Sequence, residues 1–207
     1  MNSADTDPRP SFRVRPVTLA NDHVQLEPMR PTHAPELFMI GQDEATWRYM
    51  PSPAFVAALD AANWVTAMLH DELAGSRVPL VVRRQCDDQV VGSTSLFDIR
   101  VPERAVEIGY TWYEPAACRT AVNTATKLLL LTHCFDTLGA ERVQLKTDAR
   151  NLASQRAIER LGATREGVLR HHMRVQNGFV RDSVYYSILA NEWAPIRDRL
   201  TARLARG

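Results

Sequence analysis

The segment VEIGYTWYEPAACRTAVNTATKLLLL, from Val106 to Leu131, changes character once along its length. Its first part, Val106–Tyr113, is β-branched and aromatic, which suits a strand. Further on, Leu128, Leu131, Phe135 and Leu138 recur at three- and four-residue steps, so a helix is expected over Asn123–Leu138, with Gly139 ending it. Between the two lies a strand-to-helix loop, the place where many nucleotide-binding folds hold a pyrophosphate on glycine-rich backbone. This loop contains no glycine. The next run, RVQLKTDA (Arg142–Ala149), again reads as a strand. Strand, helix and strand in that order can form a crossover between parallel neighbours.

Working outward, PLVVRRQ, QVVGSTSLFDI and RAVEIGYTWY are strand-like and separated by Cys86–Asp88 and Arg100–Glu103, an antiparallel meander. Ahead of them stand a short strand, VQLEPM (Val24–Met29), and a helix over Thr32–Gly41 with Thr32 as N-cap. A long helix follows over Phe55–Gly75. After the crossover, Asn151–Gly162 reads as a helix with Ser154, Ile158 and Leu161 on one face. A hairpin turns at Gln176-Asn177-Gly178, and a helix over Asn191–Arg206 closes the chain. The expected class is α/β (α+β): a mixed, mostly antiparallel sheet of about seven strands with helices on both faces. Residues 1–16 read as a flexible leader, and 17–207 as a single domain.

Composition narrows the function. Lys and Arg number 25 against 24 Asp and Glu, and this near balance gives no electrostatic case for nucleic acid. The longest leucine run, Leu128–Leu131, is too short to cross a membrane, and the polar N-terminus lacks the apolar stretch of a secretion signal. Cys86, Cys118 and Cys134 form no disulfide or zinc pattern, which fits a reducing, cytoplasmic compartment. His171 and His172 sit side by side on a strand with no ligand spacing around them, so no metal is expected.

Taken together, VEIGYTWYEP, the N-x-x-S-x-x-A-I-x-x-L-G run from Asn151 and the NGFVRDSVYYSIL hairpin resemble the GCN5-related N-acetyltransferases (GNAT). Within them the chain is similar to the RimJ/RimL-like, ribosomal-protein-alanine acetyltransferase branch. The resemblance implies a sheet that splays between its fourth and fifth strands, here Arg104–Tyr113 and Arg142–Ala149. It implies acetyl-CoA, as acyl donor, in that cleft. Main-chain groups near Trp112 and Tyr113 would then hold the pantetheine arm. A homodimer is common in the family.

Laid on the family's phosphate loop, the chain reads Cys118-Arg119-Thr120-Ala121-Val122-Asn123, with both glycine places filled by Ala121 and Asn123. Backbone amides can still donate. Ala121 fits if its φ is negative. Asn123 either takes positive φ or caps the helix ahead of Thr124. Arg119 can add a fork-shaped donor for phosphate. The other reading is a plain turn.

Glu107 is the candidate base by resemblance. On simple alternation it shares a face with Gly109 and Thr111. It could equally be a solvated carboxylate paired with Arg104 or Arg142. The family's usual acid, a tyrosine, falls on Ile158. The resemblance offers Ser154 instead, which could also be a packing residue, with Tyr113, Tyr185 and Tyr186 in reserve. Asn151 reads as an N-cap, and by resemblance as a pantetheine ligand. Trp47, Tyr49 and Trp64 either shape an acceptor pocket or are core. The expected reaction is attack on acetyl-CoA by a primary amine, from a protein N-terminus, a lysine or a small molecule, in a ternary complex. The rival is a CoA-binding module without turnover.

Overall fold

The computed structural model describes residues 11–206. The strands are β1 (Leu19–Ala20), β2 (Val24–Pro28), β3 (Arg77–Arg84), β4 (Gln89–Arg100), β5 (Ala105–Tyr113), β6 (Arg142–Asp148), β7 (Thr164–Arg174) and β8 (Val180–Leu189). The helices are α1 (Ala34–Ile40), α2 (Glu44–Trp47), α3 (Ala58–Leu73), α4 (Ala121–Thr132), α5 (Leu152–Leu161) and α6 (Ala190–Leu204).

All eight strands form one sheet in the order β1-β2-β3-β4-β5-β6-β8-β7. The strand beyond the expected seven or so is β1, whose two residues are too few to show alternation. The meander β2–β3–β4–β5 is antiparallel, and β5 pairs with β6 in parallel across the α4 crossover. That parallel pairing covers only Ala105↔Arg142, Val106↔Val143 and Glu107↔Gln144. Both strands run on, to Tyr113 and Asp148, without pairing to each other. This is the splay between the strands expected to be fourth and fifth.

Two apolar cores flank the sheet. The larger unites Val106 and Ile108 of β5 with Ala125, Leu130 and Leu131 of α4 and Trp193, Ile196 and Leu200 of α6. Phe12 is 3% exposed and belongs to this core, so packing reaches back into the segment read as leader, whose residues 1–10 lie outside the described ones. The smaller core gathers Trp47, Phe55, Trp64 and Trp112 against α1 and α3, with Trp47 and Trp112 ring centroids 4.8 Å apart.

Local chemistry differs from expectation at several helix starts. Thr32 is not a cap: it lies in a 3-10 turn, Pro31–His33, preceding α1. The long third helix begins at Ala58, and the Asp60 carboxylate receives the amides of Val56 and Ala57. The fourth begins at Ala121 and passes into a π-helical turn over His133–Thr137. The β7–β8 turn follows its signal, with Asn177 (φ 56°) and Gly178 (φ 72°) both left-handed.

Candidate active site

The divergence of β5 and β6 opens a cleft of about 760 Å³ between them, closed at one end by the start of α4 and flanked by α5. Glu107, Trp112, Tyr113, Arg119, Thr120, Asn123, Thr124, Asn151 and Ser154 all line it. Ala121 does not, so its methyl leaves the opening free.

Thr120 is the true cap of α4. Its Oγ1 accepts the Val122 amide at 3.3 Å and donates to the Ala117 carbonyl at 2.7 Å. Asn123 is therefore inside the first turn and is not the cap. The positive φ that glycine would supply falls on neither glycine place but on Arg119, at 63°. The amides of Arg119, Thr120 and Ala121 donate to no described residue. Free amides at a helix start, on the positive end of its dipole, suit an anion. Arg156, Arg160 and Arg203 also line the cleft, and none of them forms an ion pair with a described residue. The i, i+4 spacing of Arg156 and Arg160 on α5 was the signal for this patch.

Along β5, Tyr110 has φ 50° and the pairing with β4 slips between Ser95↔Gly109 and Ser93↔Trp112. One extra residue on β5 makes a β-bulge, which reverses the alternation beyond it. Thr111 is consequently not on the Glu107 face. Its hydroxyl meets Lys127 Nζ of α4 and Thr94 Oγ1, each at 2.8 Å. Trp112 and Tyr113 send their side chains into the two opposite cores, leaving their backbone at the open edge. Lys127 is 5% exposed, and burial pushes its ammonium down to about 7. A lysine on a helix, between Thr126 and Leu128, gave no hint of this.

Glu107 is 1% exposed, so it is no solvated strand carboxylate. Nor do Arg104 or Arg142 hold it: Arg104 donates to the Leu138 and Gly139 carbonyls, and Arg142 pairs with Glu166. Instead Glu107 Oε2 accepts Gln144 Nε2 at 2.7 Å and Lys146 Nζ at 3.0 Å. Oε1 bonds to no described residue. Burial pushes this carboxyl above the ordinary range, and Lys146 and Gln144 offset only part of that. Gly109 keeps space open beside it, since a Cβ there would lie 2.8 Å from Phe97 Cε1 and 3.3 Å from Glu107 Oε1.

On α5, Asn151 Oδ1 accepts the Ser154 amide at 3.0 Å, which caps the helix. The Asn151 side-chain Nδ2 has no described partner, so the cap leaves a second polar atom of the same side chain unengaged beside the cleft. The Ser154 hydroxyl likewise bonds to no described residue. Ile158 is buried core that also touches the cleft. Of the reserve tyrosines, Tyr113 lines the cleft with its hydroxyl buried, Tyr185 bonds His172 Nε2 at 3.0 Å, and Tyr186 donates to Glu159. Trp47 and Trp64 are core, whereas Tyr49 lines the cleft. Among the described residues no group of three or more His, Cys, Asp or Glu could hold a metal ion, and no helix is long and apolar enough to cross a membrane.

The open sheet thus brings a basic helix-start pocket and a buried carboxylate together at its split. Residues 23–164 match the acetyltransferase (GNAT) domain family, and the chain belongs to that family. It is 35% identical over 107 residues, 52% of its length, to YdaF of Bacillus subtilis (strain 168), provisionally named a ribosomal N-acetyltransferase. That match spans 57% of YdaF, little more than half of the relative. The fold is similar to a GCN5-related N-acetyltransferase from Brucella melitensis, with TM-score 0.88 and 26% identity over 95% of this chain and 88% of the other. It is also similar in fold to Mycobacterium smegmatis RimJ, crystallised with CoA-disulfide, with TM-score 0.76 and 21% identity over 91% of this chain and 95% of the other.

Proposed function

We propose that this protein is an acetyl-CoA-dependent N-acetyltransferase that transfers the acetyl group to a primary amine by direct attack in a ternary complex. The observation that carries the reading is the placement of Glu107. A buried carboxylate with a raised pKa stands where the sheet splits, in the same cleft as the free amides at the start of α4.

The amides of Arg119 and Thr120, the α4 dipole and the Arg119, Arg156, Arg160 and Arg203 side chains hold the diphosphate and phosphate groups of acetyl-CoA. The free edge of β5 near Trp112 and Tyr113, with the Asn151 amide group, holds the pantetheine arm. Glu107 accepts the proton of the incoming ammonium, directly or through water, because its raised pKa makes it a better base than an exposed glutamate. The neutral nitrogen attacks the thioester carbon, the C–N bond forms and the C–S bond breaks. The Ser154 hydroxyl hydrogen-bonds the departing sulfur, which takes up the proton that the acetylated nitrogen sheds and leaves as the CoA thiol. Cys118 is a poor alternative nucleophile: desolvation pushes its thiol up, against the pull of Arg119. The acceptor is a protein N-terminus, a lysine or a small amine. The free cysteines support the cytoplasmic reading.

One departure favours the non-catalytic module instead, namely buried Ile158 where the family's tyrosine would stand. Thiol release from acetyl-CoA with a panel of amines separates the two. Glu107→Gln should lower the release rate by about 10²–10⁴-fold, with CoA affinity, measured by calorimetry, unchanged. A variant that keeps the wild-type rate would remove Glu107 from the chemistry. Binding of CoA with no release on any amine would establish the module.

A further inference from the structure

Arg181 of β8 is 6% exposed and lines the cleft. Its Nε donates to Ser183 Oγ at 3.0 Å and its Nη1 to the Tyr49 carbonyl at 3.2 Å. Nη2 has no partner among the described residues, and no described carboxylate stands within ion-pair distance of the guanidinium. Two acidic groups act on it electrostatically, Asp148 and Glu107. Both are committed elsewhere: Asp148 to the backbone and side chain of Arg150, Glu107 Oε2 to Gln144 and Lys146.

The guanidinium is also held in place. Ser183 Oγ meets His172 Nδ1 at 3.0 Å, and His172 Nε2 meets the Tyr185 hydroxyl at 3.0 Å. On its other side Arg181 is tied to the loop after α2. Met50, Pro51, Phe97 and Met173 supply apolar wall around the same cleft. A buried cation without a counterion in contact is costly, and desolvation lowers the Arg181 pKa accordingly. An anion arriving in the cleft would remove that cost and meet a fork of donors already aimed.

We propose that Arg181 binds a carboxylate carried by the amine acceptor, so that the acceptor is a zwitterionic amine: an amino acid, or a peptide with an acidic residue beside its amino terminus. This rests on the reading of the cleft as an acetyl-transfer site. Glu107 takes the ammonium end and Arg181 the carboxylate end, which fixes the direction in which the acceptor lies. A diamine or polyamine would set a second ammonium against Arg181 and is disfavoured by repulsion.

The test uses pairs of amines that differ only in carboxylate against carboxamide. One arm compares free amino acids with their amides, and the other compares peptides with Asp or Asn at the second position. The arm with the larger preference names the source of the carboxylate. With the wild-type protein, kcat/KM for thiol release should favour the carboxylate member by roughly tenfold to a hundredfold. Arg181→Gln should abolish the preference by slowing only the carboxylate member, through KM. Arg181→Lys, which keeps charge and a donor to the Tyr49 carbonyl, should retain part of it. Equal rates within the wild-type pairs, or an equal loss on both members in both variants, would overturn the inference. Calorimetry of the same pairs against the protein with CoA makes the result independent of turnover. Carboxylate-selective binding without thiol release supports the Arg181 subsite and sinks acetyl transfer. Release without carboxylate preference does the reverse, and neither signal overturns both.

Discussion

Two side chains show how burial shifts the titration of ordinary residues. Glu107 has a raised folded pKa, so its carboxylate is ionised only above the ordinary glutamate range, and the proposed base role inherits that limit. Thiol release should therefore climb with pH through a value above that range, and Glu107→Gln should flatten this limb of the profile. Lys127 is the opposite case. Its folded value, about 7, lies below the ordinary lysine value. Between about pH 7 and 10 the unfolded chain then holds a proton that the folded one lacks, and stability rises with pH across that window. Lys127→Met removes the penalty. The variant should be more stable than wild type at neutral pH by about 1–4 kcal/mol, with the gap narrowing toward about pH 10. Denaturant unfolding at several pH values checks both size and trend. Neither behaviour is legible in sequence, where a glutamate on a strand and a lysine on a helix look solvated. Glu107 was found only through resemblance, and its partners Gln144 and Lys146 come from a strand brought alongside by the crossover.

At the scale of elements, the loop before α4 replaces glycine in an unexpected way. The left-handed residue is Arg119, which as an L-residue is strained by about 1–2 kcal/mol. Arg119→Gly and Arg119→Ala differ in strain but both lose the guanidinium. The glycine variant should be about 1 kcal/mol more stable than the alanine one, yet both should bind CoA about tenfold more weakly. Binding of S-acetyl-pantetheine, which has no diphosphate, should stay unchanged in both. Equal losses on the two ligands would take Arg119 out of the phosphate site. Thr120→Ala, which uncaps α4, should cost about 1 kcal/mol in thermal unfolding. The order of strands and helices was legible because β-branched and aromatic runs such as Gln89–Ile99 declare themselves. The bulge at Tyr110 was not, since it depends on the pairing with β4. Four-residue α2 was likewise missed, being shorter than a helical period can reveal.

For the whole molecule, net charge conceals the working surface. The chain carries +1, yet the cleft presents seven basic side chains (Arg119, Lys127, Lys146, Arg156, Arg160, Arg181 and Arg203) against one acidic, Glu107. Composition averages over the surface and could only argue against a nucleic-acid partner, leaving the local field unseen. CoA affinity should weaken by roughly tenfold between low and high salt, since these charges act partly through solvent. A salt-independent affinity in calorimetry would assign binding to backbone amides alone.

The short ladder between β5 and β6 has a further consequence. Three residue pairs are all the strand pairing between two larger β-sections, each of which is otherwise well paired. Without ligand, gap-facing amides on β5 beyond Glu107 find no partner on β6 and should trade hydrogen for deuterium quickly. A bound pantetheine chain brings its own amides to that edge and would slow the trade there, while the antiparallel ladders on either side keep their protection.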